Sequence, residues 1–156
     1  MVSILVRYPE LGTLTIDPET ASLRLTVLVA RALSESEQRE LSARIIESLD
    51  ALFTLTQVTP LKKEVLVVAE RSVTAISVTR DITSISREEI ALIVGLLREL
   101  FPNHLLVDRT QETLVDEELE LQEDYIEEML ENLRAESVPT NLYAFREGGR
   151  VLVFNK

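Results

Sequence analysis

The sequence contains no cysteine, only four glycines and a single histidine. Without cysteine the chain can form no disulfide framework, no thiolate metal site and no thiol nucleophile. The glycines are too scattered for a phosphate-binding P-loop or for the G-x-G-x-x-G turn of dinucleotide-binding folds, and no serine lies in a G-x-S-x-G elbow. The sequence therefore predicts no catalytic residue and no cofactor, and an enzyme is the least favoured class of function.

The single histidine, His104, does not complete a catalytic pair. It lies in the stretch FPNHLLVDR, where Asp108 follows four residues later. On an extended strand these two side chains project from the same side but about 13 Å apart, which is too far for a hydrogen-bonded dyad. We interpret His104 as a structural or surface residue.

Long apolar runs and basic residues are also scarce. The longest apolar run, IALIVGLL at residues 90–97, has eight residues, whereas a helix that crosses a bilayer needs roughly 20. The first residues, MVSILVRYPELG, lack the basic segment and the long apolar stretch of a secretory signal. The 27 acidic and 16 basic residues give a formal net charge of −11, which disfavours contact with nucleic-acid phosphates and with anionic membranes. We expect a cytoplasmic protein that binds neither nucleic acid nor membrane.

Two helices are easy to locate. Ser34 with Glu37, and Ser86 with Glu89, have the spacing of helix-capping boxes, and each pair precedes an apolar stripe of helical period. Gly95 interrupts the second helix, where glycine costs roughly 1 kcal/mol relative to alanine, so we expect another helix or strand to approach closely there. The first stripe contains Leu41, Ile45, Leu49, Leu52 and Phe53, and the second contains Ile90, Ile93, Val94, Leu97, Leu100 and Phe101.

These helices belong to a weak internal repeat. Their stripes superimpose at an offset of 48 residues, and the preceding stretches TVLVAR at 26–31 and AISVTR at 75–80 match at an offset of 49. A candidate strand follows each helix, TLTQVT after the first and NHLLVDR after the second, and residues 64–70 form a predicted hairpin with residues 72–80. This order predicts an α+β fold with a ferredoxin-like βαβ–βαβ core, in which two helices cover one face of a mainly antiparallel sheet.

Both ends of the chain add strands to this prediction. Near the start, VSILVRY and GTLTID are predicted as two short strands with Pro9 and Gly12 in the turn between them. In the closing stretch NLYAFREGGRVLVFNK, the two glycines form a two-residue turn that sets Glu147 opposite Arg150. The 156 residues, of which 46% are hydrophobic, fit one globular domain. Its predicted parts are a β extension at 1–20, the ferredoxin-like core at 21–110, an acidic amphipathic helix at 111–135 and a terminal β-hairpin at 139–156.

A sheet with helices on only one side leaves its other side open. Along the strand at residues 23–29 the side chains alternate between these two sides. The open side is half apolar, so it is poorly suited to water, and it carries no aromatic residue on which RNA bases could stack. We expect the third helix, the terminal hairpin or a second subunit to cover it. The helix-facing side chains are Leu23, Leu25, Val27 and Val29, and those of the open side are Arg24, Thr26, Leu28 and Ala30.

Residues 116–136 hold ten acidic side chains and a single arginine. On a helical wheel the apolar residues gather on one face and the acidic residues on the opposite one, which is typical of a helix with one packed and one solvated side. Acidic residues recur four residues apart, and each such pair destabilises a helix by roughly 0.2–0.5 kcal/mol. Packing or a basic partner therefore has to offset the repulsion. A straight helix splays its carboxylates outward, so we predict no metal site. The packed face contains Val115, Leu119, Ile126, Met129, Leu130 and Leu133.

A second apolar stripe on this helix, formed by Leu114, Leu121 and Tyr125, lies about 100° from the first. It indicates either an edge of the core or contact with another body.

Our leading hypothesis is a non-catalytic protein that acts through protein–protein contact or self-association, with a second copy or a partner that carries a basic patch. The alternative is a small-molecule-binding regulatory domain that uses the open sheet face or a subunit interface. The candidate partner contacts are the stripe residues Leu114, Leu121 and Tyr125 and the acidic residues Glu117, Glu120, Asp124, Glu127, Glu128 and Glu131.

Overall fold

Six antiparallel strands form one sheet in the computed structural model, which describes residues 2–107, 116–135, 141–147 and 150–155. The described residues also form four helices, and the protein is therefore of the α+β class. None of these helices is long and apolar enough to cross a membrane. The helices are α1 Val2–Arg7, α2 Glu35–Thr56, α3 Arg87–Leu100 and α4 Asp116–Ala135, and the strands are β1 Leu11–Asp17, β2 Ser22–Val29, β3 Lys63–Glu70, β4 Val73–Asp81, β5 Leu142–Glu147 and β6 Arg150–Asn155.

The strand order across the sheet is β3-β4-β2-β1-β5-β6, and every neighbouring pair is antiparallel. The hairpin of β3 and β4 and the terminal hairpin of β5 and β6 are both confirmed, and Glu147 lies opposite Arg150 as predicted. Strands β2 and β3 flank β4 and run parallel to each other, and α2 connects them. This part of the sheet is one split βαβ unit.

The ferredoxin-like βαβ–βαβ arrangement is not confirmed, because the chain after each helix does not form the predicted strand. TLTQVT begins within α2, which runs on to Thr56 and ends at the left-handed residue Gln57. Within NHLLVDR, the described residues 103–107 make only an isolated bridge between Leu105 and Val29. The position beside β2 that a fourth core strand would occupy is taken by β1 from the start of the chain.

The predicted strand VSILVRY is wrong, since residues 2–7 form helix α1. The buried side chains there are Ile4, Leu5 and Tyr8. A strand would send the adjacent residues Ile4 and Leu5 to opposite faces, whereas a helix places residues i, i+1 and i+4 on one side. The N–H of Tyr8 donates to the carbonyl of Ile4 at 2.9 Å. GTLTID does form a strand, as part of β1.

The predicted starts of α2 and α3 are confirmed by their caps. Ser34 and Glu37 bond reciprocally through side chain and backbone in a complete capping box. At α3 the Ser86 hydroxyl accepts from the N–H of Glu89 at 3.2 Å, but the Glu89 carboxylate turns inward to the side chain of Arg80. The buried residues of α2 are Leu41, Ile45, Leu49 and Phe53, and the buried apolar residues of α3 are Ile90, Ile93, Val94 and Leu97.

All four helices lie on one side of the sheet. Helix α2 packs along β3, α3 packs on α2, and α4 packs mainly on α1 and also touches α3. Helix α1 lies over the other end of the sheet, near β1, β5 and β6. Within α4 the predicted core residues Ile126 and Leu130 are buried, and Met129 and Leu133 are partly buried against the core.

Gly95 does not mark a close approach, contrary to the prediction. It lies on the exposed side of α3, and a Cβ atom built there meets no heavy atom within 4 Å.

Gly95→Ala should therefore raise the free energy of unfolding by about 0.5–1 kcal/mol, because the alanine backbone has fewer unfolded conformations to lose. Chemical denaturation of the purified chain measures the change. The reverse exchange at an exposed site of the same helix, Ala91→Gly, should lower stability by a similar amount, and a destabilised Gly95→Ala would contradict the helix geometry.

Candidate functional site

The side of the sheet opposite the helices forms a continuous surface, which we call the open face. Its composition follows from strand pairing, because residues paired across antiparallel strands point to the same side. One row across the six strands consists of Leu66, Ser77, Thr26, Thr13, Phe145 and Leu152. The adjacent row consists of Glu64, Thr79, Arg24, Thr15, Tyr143 and Phe154.

Large apolar side chains of the open face lie towards its two edges. At the β3 edge, Leu66 and Val68 are 51% and 46% exposed, and at the β6 edge Phe154 is 51% exposed. The rings of Phe145 and Phe154 contact each other with centroids 5.1 Å apart. The open face thus carries two separate apolar patches, one at each edge, and patches of exposed apolar residues are a feature of contact surfaces.

Small hydroxyl residues occupy the middle of the open face. The hydroxyl oxygens of Thr26 and Ser77 are hydrogen-bonded at 3.0 Å, and the Arg24 Nε–H donates to the Thr79 hydroxyl at 3.2 Å. These bonds run between neighbouring strands, so the polar groups of the central strands partly satisfy one another within the plane of the sheet. The face can therefore meet an apolar surface at a smaller desolvation cost than free hydroxyls would impose.

Of the three covers predicted for the open face, two lie elsewhere. Helix α4 is on the helix side, where the Arg134 guanidinium donates to the backbone carbonyls of Ile82 and Ile85. The terminal hairpin joins the edge of β1 and widens the sheet rather than folding over it. It also places Tyr143 and Phe145 on the open face, so the predicted lack of aromatic residues holds for β2 but not for the whole sheet. The net charge of −11 still disfavours nucleic acid.

The predicted contact residues of α4 lie at the surface wherever they are described. Leu121 and Tyr125 are 48% and 45% exposed, so this stripe does not pack into the core of the described residues. Glu127 is half-buried with its carboxylate 3.7 Å from the Arg87 Nε. Leu114 lies outside the described residues, as does the side chain of Glu117. The exposed acidic residues are Glu120, Asp124, Glu128 and Glu131. A contact role for these residues stays a prediction.

The described residues bring together little that could perform chemistry. They contain no group of three histidine or acidic side chains that could hold a metal ion. His104 is exposed, and its backbone carbonyl accepts from the N–H of Ala30 at 2.6 Å, whereas Asp108 lies outside the described part of the chain. A cleft of about 180 Å³ lined by Tyr8, Arg87 and other residues opens between α1, α3 and α4, smaller than the roughly 300 Å³ at which ligand pockets begin.

A buried ionic cluster on the helix side was not foreseen from the sequence. Arg80 is fully buried, and its guanidinium donates twice to the Glu89 carboxylate, at 2.8 Å each, once to the Lys62 carbonyl at 3.0 Å and once to the Ser84 hydroxyl at 3.0 Å. It also contacts the Asp81 carboxylate. Burial raises the pKa of Glu89, and the Arg80 charge opposes that rise. Since the cluster is closed to solvent and its donors are occupied, its role is structural.

Comparison with protein-family models, with curated proteins and with solved structures finds no match for this chain. The candidate site therefore rests on the geometry of the open face itself.

Asp81 links the buried cluster to pH. Burial alone would raise the pKa of its carboxyl, but hydrogen bonds from Ser84, the Lys62 amide and Thr83, together with the Arg80 charge, hold this pKa well below its ordinary value of 3.8. The unfolded chain therefore takes up a proton below about pH 4 that the folded chain does not, and stability falls as the pH drops.

We expect Asp81→Asn to weaken this dependence. Between pH 4 and pH 2 the slope of unfolding free energy against pH should decrease by up to about 1.4 kcal/mol per pH unit, the contribution of one proton. At pH 7 the variant should lose on the order of 1–3 kcal/mol. Urea titrations at several pH values measure both effects. Asp50→Asn removes a surface partner of Lys63, 2.5 Å away, and serves as the control; an unaltered slope in Asp81→Asn would refute the assignment.

Proposed function

We propose that this protein is a non-catalytic contact module of the cytoplasm that binds a protein partner through the open face. The observation that carries the proposal is a six-stranded sheet whose helices all lie on one side, with large apolar side chains left about half-exposed on the other. A fully buried leucine or phenylalanine stabilises by about 1.5–3 kcal/mol relative to an exposed one. Covering both edges of this face would thus supply a substantial binding free energy.

Charge distribution supports the same surface. The chain as a whole is strongly acidic. Yet in the two rows of the open face that contain Thr26 and Arg24, Arg24 is the only charged residue on the four inner strands β4, β2, β1 and β5. A protein that covers these two rows therefore buries no unpaired carboxylate, which would be costly, whereas Asp17 lies one row further along β1. The exposed acidic residues of α4, with Leu121 and Tyr125, form a separate surface that suits a partner with a basic patch.

A small-molecule-binding regulatory role is the second candidate. Its support is the row of hydroxyl groups from Thr13, Thr26 and Ser77 across the centre of the open face, because such groups can fix the orientation of a polar ligand.

A metabolite at 100 times its Kd would stabilise the chain by about 2.7 kcal/mol and raise its Tm by roughly 5–10 °C. A thermal-shift screen against nucleotides, amino acids and metabolites measures this, and a silent panel would favour the contact module.

Thiol footprinting tests the contact module, since a cysteine-free chain accepts a single reporter thiol. We expect Thr26→Cys, at the centre of the open face, to react about tenfold more slowly with a membrane-permeant maleimide in cells than in the dilute purified chain, as a site that is about 90% covered would. The matched control is Ala43→Cys on the exposed side of α2, whose rate should be the same in both settings. Equal rates for Thr26→Cys in cells and in dilution, at a concentration where the purified chain sediments as a monomer, would rule out the proposed surface.

A further inference from the structure

Resting on the proposed function, we infer that the occupant of the open face is a second copy of this chain, stacked face to face about a two-fold axis that runs between β2 and β1, parallel to them. This axis brings β3 of one copy over β6 of the other, β4 over β5, and β2 over β1. The area and the shape of the open face are compatible with a dimer of this kind, and the distribution of side-chain size and of edge charge distinguishes this axis from the perpendicular one.

The area of the open face suits a stable dimer. The six strands have six to nine residues each. With strands about 4.8 Å apart and a rise of about 3.3 Å per residue, they present roughly 700 Å². Two such faces bury about 1,400 Å² in total, within the range of about 1,200–2,000 Å² typical of specific interfaces.

The shape of a twisted sheet is compatible with this stacking. Each strand is rotated by about 20–25° relative to its neighbour, so the sheet has the form of a saddle. A saddle turned by half a revolution about the direction of its central strand reproduces its own form. The second copy therefore follows the curvature of the first, as in the aligned packing of two-sheet sandwiches about 10 Å apart.

Side-chain size then distinguishes between the possible axes. The open-face residues of β4 are small, and Ser77 shares a row with Phe145 while Thr79 shares a row with Tyr143. The inferred axis sets each aromatic ring of β5 over a small residue of β4 in the other copy, which is how packed layers interdigitate. A two-fold axis perpendicular to the strands would instead set β5 on β5 and β4 on β4, with rings against rings and a gap over the small residues.

The charges at the edges of the sheet favour the same axis, although this axis also brings the two Arg24 side chains of the dimer near each other. The open face is acidic at the β3 edge, where Glu64 and Glu70 are exposed, and an exposed Arg150 lies at the β6 edge. The inferred axis places β3 of one copy over β6 of the other. Glu70 of one copy then lies within one row of Arg150 of the other. The perpendicular axis would place the glutamates of the two β3 strands over each other, and like charges in contact disfavour association.

Cross-linking of single-cysteine variants tests the partner and the axis together. Leu66 and Leu152 lie in the same row at opposite edges of one sheet, about 24 Å apart, and the inferred axis brings each over the other in the partner. Mixing purified Leu66→Cys with Leu152→Cys and a short bismaleimide should give a covalent dimer of twice the 17.6 kDa chain mass. Each variant alone should give little, and Ala43→Cys mixed with either should give none.

Two results would overturn the inference. A purified wild-type chain that sediments as a monomer at tens of micromolar would exclude a second copy as the occupant. A cross-link of Leu66→Cys to itself without the mixed product would exclude the axis. Neither result removes the proposed function, because slow labelling of Thr26→Cys in cells combined with a monomeric purified chain would identify a different protein as the occupant.

A charge substitution at the centre provides a second measurement on the folded protein. Thr13 and Thr26 are paired across β1 and β2, and Arg24 lies one row from Thr26 on the same face, so the inferred axis brings the two Thr13 side chains and the two Arg24 side chains close together in the dimer. Thr13→Arg would add two further positive charges there. We expect it to raise the dimer dissociation constant at least about 100-fold in sedimentation experiments, equivalent to some 2.7 kcal/mol. Ala43→Arg on α2 should leave the constant unchanged, and an undiminished dimer in Thr13→Arg would overturn the arrangement.

Discussion

The fully buried guanidinium of Arg80 ties together the layers of this fold. It extends from β4 into the helix layer, where it binds the Glu89 carboxylate of α3, stacks over the ring of Phe53 from α2 at 4.8 Å, and donates to the carbonyl of Lys62, the residue before β3. Removing one partner of a buried ion pair typically costs 3–5 kcal/mol, because the other charge is left without compensation. That is a large part of the 5–15 kcal/mol by which domains are stable. The positions of α2 and α3 on the sheet, and hence the freedom of its other face, depend on this cluster.

Local signals in the sequence predicted most of the elements. The capping boxes at Ser34 and Ser86 located both long core helices, and the alternation along β2 predicted which of its side chains are buried. The same alternation, extended along Thr74, Ile76, Val78 and Arg80 of β4, places an arginine among inward-facing residues. The position of Arg80 in this alternation could have predicted the buried cluster, because a charged side chain that points into the core requires a partner.

Long-range pairing could not be predicted in this way. The strand GTLTID has no local feature that favours β5 over any other neighbour. The clear turn between β5 and β6 predicts that these two strands pair with each other, but it does not predict that β5 also pairs with β1. The ferredoxin-like prediction depended on counting TLTQVT as a strand, but the helical stripe ending at Phe53 carries on through Thr56 because the first helix-breaking residue is Pro60. The open face was foreseen for one strand, and its extension over six strands required the tertiary structure.

Strand β1 has a further consequence for how the chain folds. It lies inside the sheet, yet one neighbour, β2, follows directly in the sequence and the other, β5, is separated from it by nearly the entire chain. Contacts between such distant segments form slowly because a long loop has to close first. During synthesis the ribosome releases β1 long before β5 exists, so the nascent chain carries an unpaired interior strand edge, and such edges pair readily with other chains. Aggregation during translation is therefore the hazard inherent in this topology, and completion of the terminal hairpin is the step that ends it.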